Sequence, residues 1–189
     1  GTPLYDSRSS MDFPDDDLQA DMYLAAVEIL RCHGYQQYEI SNFAKPGYDS
    51  KHNLRYWLTR PYIGFGPGAH SDFGGRRYSF VRDLEGYIDG VLKGGRLIDS
   101  EELIPRRERG GEYLMLRLRT AHGAEEWEYR GGYFLDFAPI EKRLEEFASH
   151  GWAEKTAQGR WRLTPEGFLI SNRLIGDLLE RQERSELSD

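Results

Sequence analysis

An amphipathic helix followed closely by a strand is the feature that most constrains the fold of this chain. Apolar residues recur at helical spacing over residues 15–32, and Gly34 supplies a C-terminal cap. Residues 35–41 alternate in a way that predicts a strand. Because a helix followed by a strand is the repeating unit of an α/β sheet, we expect the first part of the chain to be α/β. Two further strands and a helix are predicted over residues 62–65, 77–81 and 83–92.

The pattern changes from α/β to mainly helical near residues 94–100. Beyond them, three helices, a β-hairpin and a last helix are predicted over residues 112–118, 124–130, 134–150, 152–163 and from 164 onward. This order of elements is typical of a winged helix. We therefore predict an α/β plus α+β fold of two units. They are an α/β unit of residues 1–95 and a small, winged-helix-like, mainly helical unit of residues 96–189.

Charge and cysteine content restrict the classes of function. The chain has 189 residues, a net charge of −7 and a pI near 5.3. Residues 121–189 hold nine Lys and Arg against fourteen Asp and Glu, and DNA affinity needs basic residues, so we expect no nucleic-acid partner. No apolar run reaches the roughly 20 residues of a membrane span. The single cysteine, Cys32, permits no internal disulfide, which fits a reducing cytoplasm, and its place on a helix indicates packing.

A histidine, an amide and two aromatic residues crowd into six positions, at His52, Asn53, Tyr56 and Trp57. If these positions form a helical turn, His52 and Tyr56 lie on one face. Histidine is the commonest metal ligand and proton-transfer group near neutral pH, and haem iron often takes an axial histidine with aromatic neighbours. The alternative is a histidine that only forms a structural hydrogen bond, and the pattern leaves both interpretations open.

Three alternating glycines, Gly64, Gly66 and Gly68, are followed by Ala69 and His70. In an extended chain the three glycines face one side, where their bare backbone admits a ligand closely. The spacing matches neither a dinucleotide fingerprint nor a Walker loop. The alternative is a simple turn at the end of a strand. His70 either contacts the same ligand or caps that turn.

The remaining polar residues give weaker signals. No cysteine and histidine cluster has zinc spacing, and no serine sits in a nucleophile motif. His33 and His150 each precede a glycine, which indicates helix C-terminal caps. Arg106, Arg107 and Arg109 form a dense basic run that is typical of a solvated face, although it could meet propionate or phosphate groups.

Four motifs carry a resemblance to a known family. They are YEISNFAKPG at residues 38–47, HNLRYW at 52–57, YIGFGPGAHS at 62–71 and RLTPEG at 162–167. With them the chain resembles the radical SAM haem chaperones of the HemW family, also described as oxygen-independent coproporphyrinogen III oxidase-like proteins. The resemblance covers nearly the whole chain. It implies the C-terminal part of an incomplete α/β barrel followed by a small helical domain.

The resemblance also implies function and site residues. It implies a cytoplasmic bacterial protein with S-adenosylmethionine, a 4Fe-4S cluster and bound haem, which passes haem to an accepting protein. The family's haem-associated motif falls on His52, Asn53, Tyr56 and Trp57, with His52 as candidate iron ligand. A loop that contacts S-adenosylmethionine in related oxidases falls on Gly64, Gly66, Gly68, Ala69 and His70.

One departure limits what the resemblance implies for this chain. The family binds its cluster through a C-x-x-x-C-x-x-C motif, whereas this sequence contains only Cys32. We therefore expect the N-terminal half to be absent and the chain alone to be inactive toward S-adenosylmethionine. The alternatives to haem delivery are oxidative decarboxylation of coproporphyrinogen III and a winged-helix interaction module.

Overall fold

A computed structural model describes the backbone of residues 1–185 and the side chains of residues 1–183. Its helices are α1 (Pro3–Asp6), α2 (Asp16–Cys32), α3 (Lys51–Trp57), α4 (Leu84–Lys93), α5 (Arg106–Arg117), α6 (Glu126–Tyr133), α7 (Ala138–Ser149), α8 (Pro165–Leu169) and α9 (Ser171–Ser185). Its strands are β1 (Gln36–Glu39), β2 (Asn42–Ala44), β3 (His70–Phe73), β4 (Arg76–Phe80), β5 (Ile98–Leu103), β6 (Ala153–Lys155) and β7 (Trp161–Leu163). A 3-10 turn, Arg8–Ser10, follows α1.

Helix α2 forms where the sequence predicts it. The Asp15 carboxylate accepts a hydrogen bond of 2.8 Å from the Leu18 amide and so caps the helix. The chain leaves the helix through Gly34, whose φ of +81° suits glycine. The helix buries none of its residues, and its exposed apolar side chains include Leu18, Met22 and Ile29. Its contribution to the core is therefore limited to partly buried side chains such as Tyr23, which packs against the core from outside.

Every strand pair among the described residues is antiparallel. β1 pairs with β2, β4 lies between β3 and β5, and β6 pairs with β7. The links after β1 and β3 are two residues long, and Gly74 and Gly75 in the second link have φ of +64° and +80°. Such tight turns return the chain beside the strand it has just left. These strands therefore pair with neighbours that run in the opposite direction.

Several elements differ from the predictions. Residues 62–65 form no strand beyond a bridge between Tyr62 and Asp72. The sequence does not predict β5, because all six of its residues are exposed and no alternation of buried and exposed positions marks the strand. Helix α7 begins at Ala138 rather than at residue 134, since Phe134 takes the left-handed conformation that ends α6. The last predicted helix is divided at Ile170 into α8 and α9.

The hydrophobic core lies almost entirely in the second part of the chain. Its fully buried side chains include Tyr113, Leu114, Leu118, Tyr129, Phe137, Ile140, Leu144, Phe147 and Leu178. Each such residue contributes about 1.5–3 kcal/mol by leaving water. Before residue 113 the only buried hydrophobic side chain in the described part is Ala44. No helix within residues 1–185 is long and apolar enough to cross a membrane.

Backbone hydrogen bonds and one strand join the two parts of the chain. The Ile40 amide donates to the Arg119 carbonyl at 2.9 Å, and the Ala121 amide donates to the Tyr38 carbonyl at 3.0 Å. Strand β5 lies beyond residue 95, where the domain boundary is predicted, and pairs with β4 of the first part. The end of α5 is thus fixed against the β1–β2 hairpin.

Candidate functional site

Helix α3 carries the histidine and aromatic motif. The Ser50 side chain accepts a hydrogen bond of 3.3 Å from the Asn53 amide and caps the helix at its start. His52 and Tyr56 are four residues apart and share one face, as predicted. The His52 Nε2 atom lies 3.2 Å from the Tyr56 hydroxyl, and the two rings meet edge to face at 5.0 Å between centroids.

The four motif residues divide between two neighbouring stripes of α3. His52 and Tyr56 form one stripe, and Asn53 and Trp57, also four apart, form the other, rotated by roughly 100° about the helix axis. His52, Asn53 and Tyr56 are exposed, whereas Trp57 is half-buried. The imidazole is therefore open to solvent on one side and held by a tyrosine hydroxyl on the other.

Tyr62 extends this aromatic surface toward the sheet. Its ring meets the Tyr56 ring edge to face, with 4.6 Å between centroids. The Tyr62 amide donates to the Asp72 carbonyl at 2.9 Å, and the Asp72 amide donates back at 3.0 Å. Burial raises the pKa of the Tyr62 hydroxyl, so it stays protonated at neutral pH. His52, Tyr56 and Tyr62 thus form a continuous row from the surface of α3 to β3.

A small cavity opens beneath Tyr56 and Tyr62. Its volume is about 140 Å³, and residues of α3, β3, β4, α5 and α6 or their flanks line it. They are Tyr56, Thr59, Arg60, Tyr62, Asp72, Arg77, Arg109, Glu112, Leu116 and Tyr133. Thr59 leaves α3 with a φ of +53°, a conformation that is rare for a β-branched residue.

Two carboxylates and two guanidinium groups form a network on one wall of this cavity. Arg77 donates two hydrogen bonds of 2.8 Å to Glu112 and one of 3.3 Å to Asp72. Arg109 donates to both oxygens of Asp72, one of them at 2.8 Å. Burial raises the pKa of Asp72, but the bonds from Arg109 and Arg77 outweigh it and hold that pKa below its usual range. The hydrogen bonds that Arg77 donates to Glu112 raise the pKa of Arg77.

The sequence did not reveal this network. The expectation that Arg109 lies on a solvated face is wrong, since its side chain is only 22% exposed and paired with Asp72. Asp72 precedes Arg109 by 37 residues. No local pattern links two residues at such a separation, because the contact depends on how β3 meets α5.

The glycine loop is a tight turn rather than an extended segment. Gly66 and Gly68 have φ of +100° and +70°, which corrects the expectation that three extended glycines face one side. The Gly64 amide donates to the Ser71 hydroxyl at 3.0 Å, and the Gly66 amide donates to the Tyr87 hydroxyl at 3.3 Å. A Cβ atom on Gly64 would overlap the His70 carbonyl oxygen. Packing of the chain on itself therefore already requires glycine at residue 64.

The residues after the glycines enter β3. The Gly68 amide donates to the Val81 carbonyl at 3.0 Å, and the Ala69 amide donates to the Gly66 carbonyl at 3.2 Å. His70 begins β3 opposite Ser79, and its side chain is exposed. The amide groups of the loop are thus used within the chain, while the imidazole of His70 faces solvent.

The residues of this chain do not fit an iron–sulfur cluster. Such clusters are held by several cysteine thiolates, and the chain contains only Cys32. Cys32 is exposed and donates to the Glu28 carboxylate at 3.3 Å, so the expected packing role is wrong. This hydrogen bond raises the pKa of the Cys32 thiol. Across residues 1–185 no group of three or more His, Cys, Asp or Glu side chains is arranged to hold a metal ion.

The other histidines have structural surroundings. His33 and His150 are the C-caps of α2 and α7, and their Nδ1 atoms lie 2.7 Å and 2.8 Å from carbonyl oxygens of the preceding turn. His122 is half-buried, 2.9 Å from the Arg160 guanidinium. Burial, with Arg117 and Arg160 nearby, lowers the pKa of His122 to about 4. His122 is therefore neutral at physiological pH.

Comparison with known proteins shows which proteins the chain is similar to. A scan against models of protein families finds no match. The chain is 33% identical to the heme chaperone HemW of Bacillus subtilis over 176 residues, which cover 91% of the chain and 45% of that protein. It is also 33% identical to the heme chaperone HemW of Escherichia coli over 177 residues, with the same coverage of 91% and 45%.

A solved structure supports the same relation at the level of the fold. The coproporphyrinogen III oxidase HemN of Escherichia coli, a radical SAM enzyme, matches 90% of the chain with a TM-score of 0.60 and 18% identity. The match covers 42% of that enzyme, and the chain spans about half the length of the curated relatives it matches. Over 91% of its length, the chain is therefore similar to the C-terminal half of HemW-like radical SAM proteins.

Proposed function

We propose that this chain binds haem as part of a HemW-like radical SAM protein that delivers haem to an accepting protein in the cytoplasm. The observation that carries the proposal is the exposed His52 imidazole, whose Nε2 atom lies 3.2 Å from the Tyr56 hydroxyl on the outer face of α3. Imidazole is a common axial ligand of haem iron, and aromatic rings pack well against a macrocycle. The relatives' printed name, heme chaperone, supports haem as the ligand.

Each motif residue has a distinct part in this proposal. His52 supplies the iron ligand, and Tyr56 and Trp57 supply apolar ring surface, with the Asn53 amide beside them. Coordination through Nε2 would replace the hydrogen bond with the Tyr56 hydroxyl, whereas coordination through Nδ1 would leave the Nε2–H group to donate to that hydroxyl. The tyrosine hydroxyl therefore influences which ring nitrogen is available.

We assign the glycine loop to the edge of a pocket for S-adenosylmethionine or substrate. Because the Gly64, Gly66 and Gly68 amides are donated within the chain, a ligand would meet this loop through close backbone approach rather than through those N–H groups. Ala69 and the exposed His70 imidazole continue the same edge. S-adenosylmethionine and the cluster belong to the whole protein, where S-adenosylmethionine supplies the 5′-deoxyadenosyl radical.

Decarboxylation of coproporphyrinogen III is the competing function. The chain supplies no cluster ligands beyond Cys32, and its 18% identity to the oxidase supports the fold alone. The haem-associated motif on α3 favours the chaperone. Product formation from coproporphyrinogen III by the cluster-loaded protein, measured by chromatography, would favour the oxidase instead.

We infer that residues 106–185 form a winged-helix-like module in which the β6–β7 hairpin is the wing. The module follows the predicted unit of residues 96–189, whose last four residues lie outside the described part of the chain. Its acidic surface disfavours nucleic acid. An acidic surface is compatible with docking of a protein partner.

A haem titration followed by the Soret band tests the proposal. The parent protein is expected to bind haem saturably, and His52→Ala is expected to weaken binding at least tenfold and to shift the Soret maximum. His33→Ala is the matched control. Like His52, His33 is an exposed histidine near a helix end, but it is the C-cap of α2. This control is expected to bind like the parent.

The outcomes separate the alternatives. Equal binding by the parent and His52→Ala would remove His52 from the site. Absence of saturable binding in the cluster-loaded protein would refute haem handling altogether.

A further inference from the structure

The cavity beneath Tyr56 has one more positive charge than negative charge in its lining. Asp72 and Glu112 supply two carboxylates, while Arg60, Arg77 and Arg109 supply three guanidinium groups. The low pKa of Asp72 keeps its carboxylate ionised at neutral pH. The lining therefore has a net charge of +1 within a chain whose net charge is −7.

Arg60 is the source of this excess. Arg77 and Arg109 are committed to Asp72 and Glu112, with hydrogen bonds of 2.8 Å to each carboxylate. Among the described residues that line the cavity, no ion pair includes Arg60. Its position is fixed by its backbone, since the Arg60 amide donates to the Arg55 carbonyl at 2.9 Å just after α3 ends. An exposed guanidinium is thus held at the cavity without a carboxylate partner.

The volume of the cavity limits the size of the ligand group that it could hold. A volume of about 140 Å³ is the share of roughly five water molecules in the liquid. This space suits a short aliphatic arm that ends in a carboxylate, and it is too small for a macrocycle. A guanidinium recognises such a carboxylate through paired, charge-assisted hydrogen bonds.

The cavity adjoins the proposed haem ligand. Tyr56 lines the cavity and its hydroxyl lies 3.2 Å from His52 Nε2. We propose that Arg60 binds a propionate carboxylate of haem in this cavity, while the macrocycle lies outside over His52 and Tyr56. This inference rests on the proposed haem binding and adds the residue that recognises the carboxylate edge of the ligand.

Haem and its dimethyl ester distinguish the carboxylate contact from the rest of the binding. Both ligands are titrated into the parent, Arg60→Gln, Arg60→Lys and the matched control Arg173→Gln, with the Soret band as readout. Arg173 is also an exposed arginine, but it lies on α9 and does not line the cavity. A thermal unfolding curve for each variant shows that it is folded.

Arg60→Gln is expected to weaken haem binding about tenfold and to leave binding of the dimethyl ester unchanged, since the ester has no charge for Arg60 to bind. Arg60→Lys is expected to retain part of the affinity for haem, because it keeps the charge but loses the fork of donors. Arg173→Gln is expected to match the parent with both ligands.

Two results would overturn the inference while leaving haem binding intact. One is equal haem affinity in the parent and Arg60→Gln, and the other is an equal loss of affinity for haem and for its ester. Failure of the parent to bind haem at all would overturn both this inference and the proposed function.

Discussion

At the scale of single residues, Gly64 shows how a sequence pattern can have two causes. The alternating glycines are compatible with either a ligand edge or a turn. A side chain at residue 64 would overlap the His70 carbonyl oxygen, so the chain needs glycine there whether or not a ligand binds. The ligand role of the loop remains a proposal that rests on Gly66, Gly68, Ala69 and His70.

Gly64→Ala is expected to destabilise the protein by about 1–3 kcal/mol, since the added methyl must push the β3 backbone away. Gly131→Ala is the control, because Gly131 lies in α6 with open space around it, and it is expected to be neutral or stabilising by up to about 1 kcal/mol. Urea unfolding midpoints measure both effects. Equal midpoints for Gly64→Ala and the parent would show that the loop is not packed in this way.

His122 links one residue to the pH dependence of stability. Its pKa is about 4 in the folded protein and about 6.5 in an unfolded chain. Between these values the unfolded state binds the proton more readily, so stability is expected to fall as the pH drops from about 6.5 to 4.

His122→Gln removes this titration, and its unfolding free energy is expected to depend less on pH over the same window. Denaturant titrations at several pH values between 7 and 4 provide the measurement. A parent and a variant with the same slope across this window would contradict the assignment.

At the scale of elements, the Asp72 network fixes β3 and β4 against α5. Arg109 comes from α5, Asp72 from β3 and Arg77 from β4. All three side chains are at most 30% exposed. The Tyr62 backbone is hydrogen-bonded to the Asp72 backbone, and the Tyr62 ring contacts the Tyr56 ring. The same network therefore also supports the position of α3.

Asp72→Asn is expected to cost about 1–3 kcal/mol at pH 7, because it leaves a partly buried arginine without its counter-charge. The folded pKa of Asp72 is lowered, so this contribution is present above the unfolded pKa near 3.9 and is lost as the pH falls through the folded pKa. The difference between parent and variant in urea unfolding is therefore expected to shrink toward zero in acid.

The control for this change is Glu101→Gln. Glu101 pairs with Arg76 at 2.6 Å, but both side chains are well exposed, so the cost is expected to stay below about 1 kcal/mol. Equal costs for Asp72→Asn and Glu101→Gln would show that the network contributes no more than a surface pair.

At the scale of the whole molecule, the two parts of the chain differ in how much apolar surface they bury. The second part contains nearly all the buried hydrophobic side chains, whereas α2 buries none and α4 buries only Gly90. Local stability increases with the extent of buried contacts. Local unfolding is therefore expected to cost more free energy in the second part of the chain than in the first.

Hydrogen exchange is expected to show this difference directly. Amides in α5, α7 and α9 are expected to exchange at least about 100-fold more slowly than amides in α2 and α4, because their opening must expose the core. Exchange is read by mass spectrometry of peptides from each helix. Uniform protection over all five helices would contradict the distribution of the core.

Local structure and the resemblance to HemW-like proteins can be predicted from sequence patterns alone. Apolar spacing placed α2, α4, α7 and the β6–β7 hairpin, because periodicity and capping are local properties. The motifs at residues 38–71 indicated the HemW-like family, and the pairing of His52 with Tyr56 followed from their spacing of four on a helix.

Contacts between distant segments could not be predicted and became apparent in the folded structure. It showed that the described strands pair in antiparallel fashion, and it showed β5, whose exposed residues have no periodic signal. It also placed Asp72, Arg77 and Arg109 around one cavity, with Arg60 left unpaired in the described residues that line it. Partners 37 residues apart are chosen by packing geometry and charge, which no local pattern of the sequence contains.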